Sequence, residues 1–186
     1  MDEQKNDYEK SFNISLETRN FEIELFWKRS IFFWGFITAS FIAFAQLYKI
    51  NSGFAVIIAN FGFICSLAWT LANRGSKFWQ ENWEQKVAEY EKNIDLDLFS
   101  RIEKIQMHKF CILRARKYSV GKLAICLSDY TTIFWFLTSL VLLLNELNPS
   151  FIQIHKVVGI ISFWVFTFIY FLYVIIFAKT TEKLDD

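Results

Sequence analysis

"GFAVIIANFGFICSLAWTLANRGSKFWQENWEQ", residues 53–85, decides the fold. Its first part, Gly53 to Ala72, is 20 residues without a charge. A helix that crosses the hydrocarbon core of a bilayer needs about 20 apolar residues, so this run has the right length. At Asn73 the composition changes abruptly. Arg74 and Lys77 introduce charge, and Trp79 and Trp83 follow, four residues apart.

Three further windows share the character of the first part. Ile31 to Tyr48 and Val157 to Ala178 contain no charge, and Leu123 to Leu144 is apolar apart from polar residues near its start, including Asp129. Runs this apolar are helical in lipid, because a helix satisfies every backbone polar group within itself. The rest of the 186-residue chain is strongly charged, although 54% of all residues are hydrophobic and 22 are phenylalanine. Segregation of this kind excludes an ordinary soluble domain. The expectation is an all-α integral membrane protein with four transmembrane helices as two hairpins, carrying cytosolic helical extensions.

Orientation follows from the basic residues. Residues 1–29 hold five Lys/Arg, 73–122 hold eleven and 179–186 hold two, whereas the connections at 49–52 and 145–156 hold one each. A Lys/Arg excess marks the cytoplasmic side. The expected order is therefore a cytosolic tail and helix start (1–29), a first hairpin (30–72), cytosolic amphipathic helices (73–122), a second hairpin (123–178) and a cytosolic tail (179–186). This order leads to the expectation of a multi-pass protein of the bacterial inner (cytoplasmic) membrane with both termini cytosolic. Residues 1–29 are polar and net acidic, unlike a signal peptide. Residues 1–14 read as weakly structured, with a helix starting near Thr18 or Asn20, both plausible caps.

Small residues recur at steps of four, at Gly35, Ala39 and Ala43 in the first span and at Ala55, Ala59, then Gly62 and Ser66 in the second. Such steps let helix backbones approach closely in lipid. They serve packing within one chain or a seam between chains, and the sequence does not separate the two.

Beyond the second span, Trp79, Trp83, Val87, Tyr90 and Ile94 form one helical stripe. Interfacial anchoring is the usual role of tryptophan near a membrane. At 1.5 Å per residue, however, Trp83 lies about 16 Å beyond Ala72 and Trp79 about 10 Å. The stripe is thus expected to pack on another helix or to dock a partner. Headgroup contact is expected instead from Arg74 and Lys77. The same role suits the basic run Arg114, Arg116, Lys117 and Lys122, which lies beside a span. A second stripe, Leu98, Ile102, Ile105 and Ile112, predicts a further cytosolic helix, and Ser119 is placed as the cap of the third span.

Asn60 and Asp129 are the intramembrane or interfacial polar residues. An amide or carboxylate there faces protein, water or the interface rather than lipid. If either faces a pore, Asp129 favours cations. Gln46 is ambiguous in the same way. Catalytic signals are sparse: Arg101 and His108, two helical turns apart, fit the loose Arg-to-His spacing of HEPN ribonucleases, in which they would act on a scissile phosphate. The chain has no phosphate-binding glycine loop, serine elbow or dinucleotide fingerprint. Three cysteines and two histidines offer no metal-ligand spacing, so no metal and no cofactor is expected.

The block "NRGSKFWQENWE", a hairpin before it and another after a cytosolic helix, resembles small uncharacterised bacterial inner-membrane proteins. Some proteins of this size and build act as membrane effectors of antiviral defence, including accessory proteins of RNA-targeting CRISPR systems. The small-residue seams, the polar Asn60 and Asp129 in or near spans and the lack of a catalytic set lead to the expectation of a non-enzymatic, oligomeric protein that permeates or perturbs the inner membrane, controlled by its cytosolic region. The resemblance suggests defence as its setting. The alternatives are a membrane-tethered scaffold that recruits a cytosolic partner, and a membrane-bound ribonuclease. The expected partners are anionic lipid headgroups, further copies of the chain and a cytosolic protein rather than nucleic acid.

Overall fold

The computed structural model describes residues 2–94, 118–149 and 151–178. Among these the protein is all-helical, with four helices: α1 (Asp2–Leu47), α2 (Ser52–Asn93), α3 (Val120–Leu147) and α4 (Phe151–Phe177). The helices α1, α2 and α3 each contain a stretch long and apolar enough to cross a membrane. The described apolar stretch of α4, Ile161–Phe177, is shorter. The stripe expected at Leu98–Ile112 lies outside the described residues.

Local sequence explains the boundaries. The turn between α1 and α2 is closed by backbone bonds from Ile50 and Asn51 to the Leu47 carbonyl, at 3.0 and 2.9 Å. Asn51 then caps α2, its Oδ1 accepting the Phe54 N–H at 3.1 Å. Ser119 caps α3 in the same manner, accepting the Lys122 N–H.

The chain divides into two compact units. Unit 1 takes its described residues from Met1–Arg29 and Arg74–Arg116, and unit 2 from Ser30–Asn73 and Lys117–Asp186. Helices α1 and α2 each contribute to both.

In unit 1 the N-terminal expectation is corrected. Residues 2–14 are helical, and α1 has no break at Thr18 or Asn20. The Thr18 hydroxyl donates to the Ile14 carbonyl one turn earlier, the bond of a residue inside a helix rather than of a cap. The cause lies in packing that the local sequence does not advertise. Phe12 is buried with Val87 of α2 and with Ile94, the residue just past its end, and Tyr8, Leu16 and Tyr90 pack around them. An otherwise polar stretch thus carries an apolar stripe that finds its partner about 75 residues away in the same chain.

The core of unit 2 is centred on Trp135 of α3. It is fully buried with Ala55 and Ala59 of α2 and with Leu142, and Phe44, Val56, Phe63 and Phe134 pack against this cluster. Phe41 lies 4.6 Å from the Trp135 ring, centroid to centroid. The small residues Ala55, Ala59, Gly62 and Ser66 of α2 all lie inside. Gly35 and Ala39 of α1, by contrast, are exposed, and nothing lies within 4 Å of where a Cβ on Gly35 would be. The two small-residue runs therefore differ: the α2 run packs within the chain, whereas the α1 run is open at Gly35 and Ala39 and half-buried at Ala43.

Candidate functional site: an interhelical polar clasp and lone amides on the outer faces

A buried seam of α2 in unit 2 runs through Ala55, Ala59, Gly62, Ser66, Trp69 and Asn73, spaced four, three, four, three and four, with Thr70 buried beside it. This is the heptad rhythm of helices that pack along a shared seam. At one end of it polar groups replace apolar ones. The Trp69 indole N–H donates to Ser30 Oγ of α1 at 3.3 Å, and Ser30 Oγ donates to Asn73 Oδ1 at 3.4 Å. Asn73 Nδ2 donates to Ser128 Oγ at 3.2 Å and to the Ala124 carbonyl at 3.3 Å, both on α3. Ser128 in turn donates to the Ile125 carbonyl.

Ser30, Trp69, Asn73 and Ser128 are all buried. One asparagine thereby connects three helices and uses both ends of its amide. A buried amide left without partners would be destabilising by several kcal/mol in an apolar medium, so this network holds the three helices in one arrangement. One turn along, the Thr70 and Thr132 hydroxyls share a bond at 3.1 Å. Helix α4 is tied to α3 by Tyr170, which donates to the Cys126 carbonyl at 2.7 Å, and by a 3.1 Å bond between Tyr130 and Thr167 hydroxyls.

The structure distributes the residues singled out in the sequence over several places. Asn60 lies in the apolar part of α2, but on its exposed side, with no hydrogen-bond partner among the described residues. Asp129 is half-buried on α3, next to Ser128 of the clasp. In unit 1, Val87 and Ile94 are buried with Tyr90 packed beside them. Trp83 is half-buried, with Lys86 Nζ 4.3 Å from its ring centroid. Trp79 is 51% exposed and stands outside this core.

The reason is helical drift. The buried register of α2 in unit 1 passes through Ser76, Gln80, Val87 and Ile94. Two successive steps of four carry a residue about 80° around a helix, which moves Trp79 off the seam that Val87 occupies. Arg74 is exposed, Lys77 pairs with Glu81 at 3.4 Å, and Lys122 Nζ stands 5.5 Å from the Phe177 ring centroid. Arg101, His108, Arg114, Arg116 and Lys117 lie outside the described residues. Among the described residues no group of His, Cys, Asp or Glu could hold a metal ion.

Sequence reasoning passed over Ser30, Trp69, Asn73 and Ser128. A signal for them was present: each continues a heptad of small or apolar positions, and a polar side chain on such a register is buried with a partner or not at all.

No curated protein and no solved structure matches the chain. A family model described as the octameric membrane protein family (8xMP) matches residues 9–144, which takes in most of α1, all of α2 and the unit 2 core around Trp135. The match covers well over half of the sequence, so the chain belongs to the octameric membrane protein family.

Proposed function

We propose that this chain assembles as an octamer in the bacterial inner membrane and acts, without catalysis, by permeating it. The family match carries this reading. Packed helices stand 8–10 Å apart, so the tightest ring with one helix per copy facing the axis puts those helices about 10–13 Å from it. Subtracting a helix radius of 5–6 Å leaves an opening about 5–7 Å in radius. Eight copies around one axis therefore cannot close on a packed core as four helices do.

In this reading α1, α2, α3 and α4 all span. The termini and unit 1 lie in the cytosol with the basic residues, and unit 1 is where a trigger acts. The resemblance of the "NRGSKFWQENWE" block makes antiviral defence the setting to try first. Purified protein in dye-loaded vesicles should release dye or conduct ions. Intact octamers that leave the vesicles tight under every trigger applied to unit 1 would end the permeation reading.

A second reading, a tether that recruits a cytosolic partner, is favoured by one observation. Trp79 and the adjacent Phe78 are both more than half exposed in unit 1, with their rings 5.4 Å apart. It expects Trp79→Ala to abolish recruitment of a cytosolic protein while expression and membrane insertion are unchanged.

A further inference from the structure

On the side of α2 away from the buried seam, Ile57, Ile64 and Leu71 are each more than half exposed and spaced by seven. The same register continues to Phe78, which is 64% exposed although it lies beyond the uncharged run. Helix α1 has an outer register to match: Ile42 and Gly35 are exposed, seven apart, and three further steps of seven pass through the exposed Lys28 to Phe21 and Ile14, both more than half exposed. Lipid requires only that a surface be apolar. A seven-residue repeat, unbroken on α2 from Ile57 to Phe78 and interrupted on α1 by Lys28, is the spacing a neighbouring helix requires, and Ile14, Phe21 and Phe78 sit where the sequence is otherwise charged.

Each stripe in unit 2 also carries polar groups. Asn60 is exposed on α2, and Thr38 and Gln46 are exposed on α1, none with a hydrogen-bond partner among the described residues. Their levels agree. The Ser30–Asn73 bond fixes one level shared by the two helices. Counted from it at 1.5 Å per residue, Thr38 lies about 12 Å along α1, Gln46 about 24 Å, and Asn60 about 20 Å along α2. Side chains lean toward the N-terminus of their own helix. Because α1 and α2 are antiparallel, Gln46 and Asn60 lean toward each other's level.

We infer that the outer stripe of α2 in one copy packs against the outer stripe of α1 in the next, with Asn60 bonded to Gln46 or Thr38 of that copy. The occupant of both stripes is thus a second copy of this chain, an inference that rests on the octameric reading. A closed ring joins two different faces of each subunit, and rotation about an axis normal to the membrane keeps every residue at its own depth. At the level of Ile64 the facing residue is Ala39, with open Gly35 one turn away, so a bulky side chain meets the run that leaves room for it. An amide of this sort among apolar seam positions fixes register and subunit number, as a lone asparagine does in coiled coils.

The test uses full-length chains in which Cys65, Cys111 and Cys126 are replaced by alanine. One chain carries Asn60→Cys and the other Gln46→Cys or Thr38→Cys, and the two are co-expressed and oxidised in membranes. A dimer containing one chain of each kind is expected, with no dimer when either variant is alone. The seam is overturned if Asn60→Cys crosslinks to itself. It is also overturned if octamers form in which the Asn60→Cys thiol reacts with a water-soluble maleimide and never joins the α1 variants. A native chain that runs as a monomer by particle mass overturns the octameric reading and the seam together, whereas an octamer that fails to crosslink loses the seam alone. Should the cysteine-free background not assemble, Ile64→Trp in the native chain decides. Loss of the octamer mass with membrane insertion retained is expected, and an intact octamer is the contrary result.

Discussion

A Cβ added to Gly62 would meet Trp135 Cδ2 at 2.6 Å and Cε2 at 2.7 Å, so the α3 indole rests directly on the bare backbone of α2. That closeness makes the sign of Gly62→Ala predictable. Alanine improves helix propensity by about 0.8–1.0 kcal/mol. Overpacking a close-fitting core costs about 1–3 kcal/mol, and here the obstacle is a fully buried ring hemmed in by Phe41 and Phe44. The net expectation is destabilisation by about 1–2 kcal/mol. Reversible unfolding in detergent measures it, and Gly35→Ala, with open space at its Cβ, is the control that should not destabilise. Adding Trp135→Leu to Gly62→Ala should recover part of the loss; no recovery would mean that the clash lies elsewhere.

The Asn73 clasp makes a second prediction. Asn73→Leu removes both donors to α3 and leaves Ser30 and Ser128 buried with fewer partners. Single interhelical hydrogen bonds in membranes average about 0.6 kcal/mol, with a maximum near 1.7. The expected loss is therefore about 1–3 kcal/mol, from three lost bonds, two of which leave a buried hydroxyl with fewer partners. A double-mutant cycle of Asn73→Ala with Ser128→Ala should give a coupling of about half a kcal/mol or more. A coupling near zero would show that the bond adds nothing beyond packing.

These residues also show what the sequence could convey and where it stopped. Uncharged runs marked the apolar helices, since composition alone decides what a bilayer accepts. Ser119 was legible as a cap because a cap acts over three residues. The helicity of residues 2–14 was not legible. It depends on Phe12 meeting Val87 and Ile94, a pairing that no local pattern announces. Asn73 was hidden for a related reason: as the first residue after an apolar run it reads as a boundary marker, and only its contacts with α1 and α3 give it a role. Trp79 was assigned to a stripe by steps of four, and the heptad register of α2 puts it outside.

The third prediction contrasts those two kinds of residue in unit 1. Phe12→Ala empties a buried aromatic site and should cost about 3 kcal/mol, toward the lower end for such changes because the site lies between only two described helices. Its readout is local: amide exchange should quicken across residues 2–20 and helical signal should fall, while the unit 2 core around Trp135 keeps its protection. Trp79→Ala, at a half-exposed position, should change stability by no more than about 0.5 kcal/mol. Equal effects of the two substitutions would place Trp79 in a core that one copy alone does not show.

The fourth prediction concerns how α4 is held. Beyond apolar contact, its polar ties to α3 include the Tyr170 bond to the Cys126 carbonyl and the Tyr130–Thr167 bond, and a backbone bond from the cap Ser119 N–H to the carbonyl of Ala178, just past α4, adds to them at 3.0 Å. Tyr170→Phe removes a donor from a carbonyl already bonded along its own helix, so the loss should be modest, about 1 kcal/mol. Tyr130→Phe adds a similar amount by freeing Thr167, whose hydroxyl keeps its bond to the Phe163 carbonyl. The two together should loosen α4 selectively. Exchange in residues 161–177 should rise at least tenfold, as expected for about 1.4 kcal/mol or more, while α1 and α2 stay protected. If exchange rises equally in all four helices, α4 belongs to the same cooperative unit as the Trp135 core, and these hydroxyls stabilise the whole of unit 2 rather than one helix.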